Sequence, residues 1–212
     1  MATGIAHIYG NALVKAFEKV VGWKAATPDT FKCTLHTSSY TPNYGTHVFQ
    51  SDLTSEVASG NGYTTGGNTL TLVSASLVLA NSLTAWAAAT AYVAGNVRRP
   101  VSGNGHVYIC VAAGTSGGSE PSWPTDGTSV TDGTCKWVDA GAAVLKLTGA
   151  ILSWTSATFT CRYGVIADTT PGSAATNPLI VCIDFQSDQS PSNGTFAITL
   201  DSDGALVIPI KY

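Results

Sequence analysis

The sequence predicts a mainly β protein: an antiparallel β-sandwich of jelly-roll type with one short N-terminal α-helix and a small inserted β module. Short runs rich in β-branched and aromatic residues recur along the chain, as in residues 179–185 (LIVCIDF) and 195–200 (TFAITL). Gly, Pro, Asp, Asn and Ser separate these runs, as they separate the strands of antiparallel sheets. A sustained helical pattern occurs near the N-terminus.

The first predicted element is an amphipathic helix. Its apolar residues recur at helical spacing and are Leu13, Phe17, Val20 and Val21. Lysine and glutamate occupy the other side. Asn11 is a suitable N-cap, and Gly22 is a suitable stop. The pattern predicts a helix that docks its apolar side on a sheet.

The strands of the first half flank a long loop. Residues 31–36 (FKCTLH) alternate apolar and polar side chains, which predicts a half-buried strand. Residues 69–79 (TLTLVSASLVL) predict one strand or two. Residues 37–68 are rich in Ser, Thr, Asn and Gly with scattered tyrosines, and residues 52–58 could form one or two helical turns. Long loops are commonly functional or contact surfaces, and we expect this one to contact other subunits.

The C-terminal part, residues 145–212, predicts an antiparallel meander. Its clearest strands are expected at residues 158–166, 179–185, 195–200 and 205–210. The tetrapeptide from Asp201 to Gly204 separates the last two, and Asp and Gly tolerate the backbone angles of a tight reversal. We therefore expect a hairpin at this point.

The character of the sequence changes between residues 83 and 140. The window predicts an inserted module within a discontinuous sandwich domain of residues 1–82 and 141–212. Strands of the module are expected at residues 96–99, 106–111 and 134–138. Without the window, the remaining chain has one continuous β-rich pattern. Folds tolerate such an insertion where its two ends lie close together.

The module carries an ordered set of aromatic and glycine residues. They are Trp86, Tyr92 followed by Gly95 and Val97, Tyr108 after the turn at residues 103–105, and Trp137. This order resembles the small carbohydrate-binding modules of the chitin-binding type. It is still more similar to the version inserted in tailed-phage structural proteins, because AGTSG (113–117), EPSWP (120–124) and DGTCKW (132–137) follow. The long Gly/Ser/Pro segment between Tyr108 and Trp137 departs from the secreted chitin-binding modules.

These aromatic residues have two interpretations. An exposed aromatic face stacks on a sugar ring, whereas a module this small has few aliphatic residues and needs Trp and Tyr for its core. We expect Trp86, Tyr92 and Trp137 to form the core, and Trp123 and Tyr108 to be exposed. The candidate contacts to a host-surface glycan are Trp123, Tyr108, Trp86, Tyr92 and Trp137.

Composition argues against a nucleic-acid partner. Charged residues make up 11% of the chain, the net charge is −3 at pH 7, and Arg98–Arg99 is the one basic pair. Binding to a phosphate backbone needs several cations on one face. An average globular domain has about 25% charged residues, so this uncharged surface favours close packing against other protein.

No membrane, metal or cofactor is expected. No run approaches the ~20 apolar residues of a membrane span, and residues 1–10 lack the pattern of a secretion signal. We expect a protein made in the host cytoplasm with buried, reduced thiols. Cys110 and Cys135 fall in adjacent predicted strands and are the pair that could form a disulfide. Neither the five cysteines nor the four histidines have metal-ligand spacing.

Candidate catalytic residues are few. Asp168 and Asp184 could pair as general acid and base, as carboxylates do in glycoside hydrolases, but Asp168 lies in a turn-like segment. Asp201 and Asp203 resemble the start of a calcium loop that lacks its closing glutamate. No nucleophile motif or phosphate-binding loop is present. The sequence therefore predicts a protein without enzymatic activity.

A second resemblance covers most of the chain outside the module. Its segments are YGNALVKAFEKV (9–20), FKCTLHTSSYTPN (31–43), GYTTGGNTL (62–70), FTCRYGVIADTTPG (159–172) and PLIVCIDF (178–185). They are similar to a family of tailed-bacteriophage virion proteins encoded among the head and neck genes. The resemblance implies a structural component of the virion.

We interpret the chain as a capsid decoration or cement protein on the virion surface, with the major capsid protein as its partner. Low charge and many small polar side chains favour close contact with a lattice, and self-association as a trimer would place it at three-fold positions. A tail, neck or baseplate component is one alternative. A host-glycan adhesion or receptor-binding protein is another.

Overall fold

The predicted mainly β class is confirmed by a computed structural model, which describes residues 5–17, 29–70, 72–198 and 206–210. Within these residues the chain has one α-helix and several antiparallel sheets, and the sheets are not closed on themselves.

The elements of the first half of the chain are β1 (Ile5–Ile8), α1 (Gly10–Phe17), β2 (Phe31–His36), β3 (Asn68–Leu70), β4 (Leu72–Leu79), β5 (Ala91–Tyr92), β6 (Val97–Arg98), β7 (Tyr108–Ala112) and β8 (Gly114–Thr115). Those of the second half are β9 (Ser129–Asp132), β10 (Cys135–Asp139), β11 (Ala143–Gly149), β12 (Leu152–Ala157), β13 (Cys161–Asp168), β14 (Leu179–Gln189), β15 (Gly194–Ile198) and β16 (Leu206–Ile210).

The chain divides into two compact units. The first comprises residues 1–74 and 148–200, and the second comprises residues 75–147 and 201–212. The second unit contains the predicted module of residues 83–140 together with flanking strand residues and the C-terminus. It is therefore larger than the window that the sequence distinguishes.

A five-stranded sheet forms the framework of the first unit. Its strand order is β1-β14-β13-β2-β3, and every neighbouring pair is antiparallel. Consecutive residues of the central strand β13, Val165 and Ile166, are both buried, so the strand is covered on both faces. The predicted strand over residues 31–36 is confirmed as β2, and residues 69–79 form two strands, β3 and β4.

The predicted N-terminal helix is confirmed and packs against β14. It begins at Gly10, so the predicted cap Asn11 lies inside its first turn. Ala12 is fully buried, as the inner side of an amphipathic helix requires, whereas the apolar side chain of Val14 is exposed. The predicted continuation through Val20 and Val21 to Gly22 lies outside the described residues.

The long loop between β2 and β3 is anchored on its own unit. Tyr40 and Tyr63 are buried, so neither side chain is available for contact with another subunit. The Tyr63 hydroxyl donates to Glu56 Oε1 at 2.6 Å and accepts from the Leu35 amide at 3.1 Å. Where one or two helical turns were expected at residues 52–58, the loop has a short 3-10 helix at Gln50–Asp52.

The second unit contains a four-stranded sheet of order β6-β7-β10-β9, a three-stranded sheet of order β16-β11-β4 and the short pair β5-β8. The predicted module strands at residues 96–99, 106–111 and 134–138 correspond to β6, β7 and β10, and these strands pair as antiparallel neighbours. The sequence did not indicate β9, which extends the same sheet.

The predicted C-terminal meander is wrong beyond its first two strands. β13 and β14 pair as expected, but β15 pairs with β12 and β16 pairs with β11. The predicted hairpin partners β15 and β16 thus belong to different sheets, while residues 201–204 between them lie outside the described residues. Turn chemistry indicates where a chain reverses, but the choice of partner strand depends on which apolar face remains uncovered.

Candidate functional site

The five aromatic residues predicted as glycan contacts lie together in the second unit. Trp86, Tyr92, Tyr108 and Trp137 pack with Cys110 and Cys135 in one buried group, and Trp123 packs against it. We call this group the aromatic cluster. The side chains come from β5, β7, β10 and the connections beside them, so the small sheet and its loops enclose them.

Burial separates the two sequence interpretations. Trp86, Tyr92 and Trp137 are 7%, 3% and 0% exposed, which confirms that they form a core. Tyr108 is 0% exposed, so its predicted exposure is wrong. Four of the five candidate residues therefore present little or no ring face to a ligand in solution.

The hydroxyl of Tyr108 explains its burial. It donates to the Pro124 carbonyl at 2.8 Å and accepts from Asn104 Nδ2 at 2.7 Å. These two bonds satisfy the polar end of the side chain away from water, while the ring contributes apolar area to the cluster. The loop that contains Pro124 is thereby attached to β7. No local sequence pattern indicates this long-range bond.

Trp123 is the half-buried member of the set. Its ring centroid lies 4.3 Å from that of Tyr108 and 5.8 Å from that of Trp137. Its indole Nε1 donates to Glu120 Oε1 at 2.9 Å, and the same oxygen accepts from the Val101 amide at 2.6 Å. Trp123 is thus held by its neighbours but retains some solvent access. Of the five predicted glycan contacts, Trp123 was expected to be exposed and is partly so.

A buried carboxylate organises the cluster. Asp132 Oδ2 accepts from Trp86 Nε1 at 2.7 Å and from Trp137 Nε1 at 3.0 Å. Asp132 Oδ1 accepts from the Gly117 amide at 2.7 Å, and the residue is 3% exposed. The indole N–H groups of Trp86 and Trp137 therefore each have a partner away from water. The sequence contained this residue within the DGTCKW segment, but only the fold reveals what it binds.

The glycine after Asp132 is required by the same turn. Gly133 has a φ of +61°, and a Cβ added to it would lie 2.3 Å from the Thr115 carbonyl oxygen. No side chain can occupy that space without moving the backbone. Asp132 therefore accepts hydrogen bonds, whereas Gly133 allows the tight turn that follows it.

A second polar centre joins the loops at the other end of β10. His106 Nδ1 and Asp139 Oδ1 are 2.9 Å apart, and the amides of Gly141 and Gly127 donate to the two Asp139 oxygens at 2.9 and 3.0 Å. Burial by itself would raise the pKa of Asp139, but these hydrogen bonds outweigh burial and hold that pKa below its usual value. The arrangement holds the negatively charged Asp139 carboxylate in place.

The cysteines behave as buried thiols. All five are free and buried, which confirms the expectation of unpaired cysteines and leaves Cys110 and Cys135 without a disulfide. Burial raises the pKa of Cys110 to about 11, and burial also raises the pKa of Cys135. Cys110 Sγ donates to the Ala112 carbonyl at 3.2 Å. Thiols with raised pKa values are poor nucleophiles at neutral pH.

The predicted acid–base pair is not assembled. Asp184 pairs in register with Tyr163 near the start of β13, whereas Asp168 ends that strand. Asp184 accepts from Arg162 Nε at 2.7 Å, and this ion pair and the Gln186 amide outweigh burial and lower its pKa. Asp168 bonds its own turn, as the sequence indicated, through the Thr170 amide at 2.9 Å. The two carboxyl groups therefore serve different contacts.

Within the described ranges, no group of three or more His, Cys, Asp or Glu residues has a geometry suited to a metal ion. No helix in the same part of the chain is long and apolar enough to cross a membrane. Comparisons with protein-family models, with curated proteins and with solved structures gave no match.

Proposed function

We propose that this chain is a structural protein of a tailed-bacteriophage virion, a capsid decoration or cement protein that binds the lattice of the major capsid protein. The observation that carries the proposal is that polar side chains of the described residues form structural hydrogen bonds. Asp132, Asp139, Asp184 and His36 are each engaged in bonds that hold strands and loops together. Such an arrangement suits a scaffold whose task is binding.

Composition supports the same proposal. With 11% charged residues and 22 glycines, the chain has a surface of small polar and apolar groups, and such a surface can approach neighbouring subunits without desolvating many charges. Self-association as a trimer would supply the symmetry of a lattice three-fold position. Because Tyr40 and Tyr63 are already buried, the contact would use other residues of the first unit.

The test is reconstitution on capsids. Expanded capsids from a phage that carries this gene, produced without the gene product, are mixed with purified chain, sedimented and imaged by cryo-electron microscopy. We expect added density at regular lattice positions and a trimer by analytical ultracentrifugation. The control is Trp123→Ala, which alters the aromatic cluster and should bind capsids as tightly as wild type. Capsids that sediment without bound chain and show no added density would overturn the capsid assignment.

A second candidate function, adhesion to a host glycan, is favoured by one observation. Trp123 retains solvent access beside the Glu120 carboxylate, so an aromatic face and a hydrogen-bond acceptor lie together. Chitin oligomers and bacterial polysaccharide, titrated by calorimetry, should release heat that Trp123→Ala abolishes. Tyr44→Ala, a half-buried aromatic residue of the first unit, is the control. No heat with any glycan would overturn the adhesion function and leave the capsid proposal intact.

A further inference from the structure

Two segments meet where β13 ends and where β2 begins. Asp168, the last residue of β13, pairs in register with Phe31, the first residue of β2. The Thr169 amide donates to the Thr30 carbonyl at 2.8 Å, and the Thr30 amide donates to Thr170 Oγ1 at 2.8 Å. The residues just before β2 are thereby tied to the turn that follows β13.

The Asp168 carboxyl group lies inside this junction. The residue is 0% exposed, and its Oδ1 accepts from the Thr170 amide at 2.9 Å. Its Oδ2 is buried and has no hydrogen-bond donor among the residues that the structure describes. The carboxyl group of Asp29, two residues before β2, lies within hydrogen-bonding reach of Asp168. Two carboxyl groups thus lie close together beside a buried oxygen.

Chemistry restricts what can occupy this junction. Two ionised carboxylates offer only acceptors, so their approach is repulsive unless a proton or a cation lies between them. The residues paired beside Asp168 are Phe31 on β2 and Pro178 before β14, and neither ionises. Lys32 pairs with Ala167 and, by strand alternation, points to the opposite face. Because these described neighbours of Asp168 supply no positive charge, a shared proton is the simplest occupant.

We propose that Asp168 Oδ2, in its protonated form, donates a hydrogen bond to the Asp29 carboxylate and so forms an acid-stabilised latch between the segment before β2 and the end of β13. When Asp168 ionises, the two carboxylates repel each other and the latch opens. This inference concerns the first unit alone and does not depend on the proposed function.

The pKa of Asp168 has the direction that the latch requires. Burial raises that pKa, and the Asp29 carboxylate raises it further, while hydrogen bonds from Thr170 oppose both effects. A raised pKa in the folded state adds stability at low pH, and this stability is lost as pH rises through the folded pKa. Asp184 provides the opposite case, because its ion pair with Arg162 lowers its pKa.

The test compares two aspartates of adjacent strands. Asp168→Asn replaces the shared proton with a permanent N–H donor, so this variant should melt a few degrees above wild type at neutral pH, and the gap should close on acidification. Asp184→Asn is the matched control; it should melt below wild type at neutral pH, and its gap should also close in acid. Thermal unfolding followed by circular dichroism across pH measures both. A variant Asp168→Asn that melts below wild type by the same amount at every pH would overturn the latch.

Carbon-13 NMR of the wild-type aspartate carboxyl groups gives a readout that needs no change in stability. The Asp168 signal should titrate at higher pH than an ordinary aspartate, and Asp29→Asn should move its midpoint down. A midpoint at or below the ordinary value would overturn the proposal. A cation would give a different result. If calcium raises the melting temperature at neutral pH, and the rise is absent with excess EDTA and in Asp29→Asn, the junction binds the ion and the shared proton is wrong.

Discussion

The core around β13 in the first unit and the aromatic cluster in the second unit exclude water by different means. Around β13, aliphatic residues such as Val165 and Leu179 pack with Cys182, and the buried hydroxyls of Tyr9 and Tyr40 bond to each other at 2.9 Å. In the aromatic cluster, by contrast, the polar atoms of large rings converge on an acidic side chain and on loop carbonyls.

The difference lies in which side chains are buried. The core around β13 combines aliphatic residues with tyrosines, whereas the aromatic cluster takes most of its buried area from Trp and Tyr. Each of those rings brings an N–H or O–H group that must find a partner once water is removed. Asp132 meets this need for both Trp86 and Trp137, so the second core depends on one residue in a way that the first does not.

The largest expected effect therefore comes from Asp132→Ala. The substitution leaves two indole N–H groups and the Gly117 amide without their acceptor, and we expect a loss of about 4 kcal/mol in the free energy of unfolding. Urea unfolding followed by tryptophan fluorescence measures it. Asp126→Ala, an exposed aspartate of the same unit, should cost about 1 kcal/mol or less. Equal losses in the two variants would contradict the role of Asp132.

The first core should respond to cavity size. Leu179→Ala removes a side chain that is 1% exposed, and we expect a loss of about 3 kcal/mol, within the usual range for such truncations. The loss should spread over aliphatic contacts, so Leu179→Met should restore most of it. Urea unfolding at two pH values provides the measurement. A loss that varied strongly with pH would show that polar groups, rather than packing, determine this site.

Sequence reasoning predicted the elements better than their partners. The strands over residues 31–36, 106–111 and 134–138 were predictable because alternation and turn residues are local signals. The partners of β15 and β16 were not, because pairing is decided by surfaces distant in sequence. The same limit applied to the candidate site. Burial of Trp86 and Trp137 followed from the size of the module, whereas the bond between Tyr108 and Pro124 depends on a loop path that no local pattern encodes.

The smallest expected effect concerns Asp139, at the other end of β10 from the Asp132 turn. Because hydrogen bonds outweigh burial and lower its pKa, Asp139 adds stability above its unfolded pKa of about 3.9, and this stability is lost as pH falls through the lower folded pKa. Asp139→Asn should therefore melt below wild type at neutral pH, and the gap should narrow between about pH 5 and about pH 2.

Thermal melts across that pH range isolate the contribution of Asp139, with Thr131→Ala, an exposed residue of the same unit that cannot ionise, as the control. The control should keep the pH profile of wild type. If the gap between Asp139→Asn and wild type were constant with pH, the hydrogen bonds from Gly127 and Gly141 would stabilise the loops equally well around a neutral amide. The ionised state of Asp139 would then contribute nothing to stability. Asp132 would be the one of these two buried aspartates on which the stability of the second unit depends.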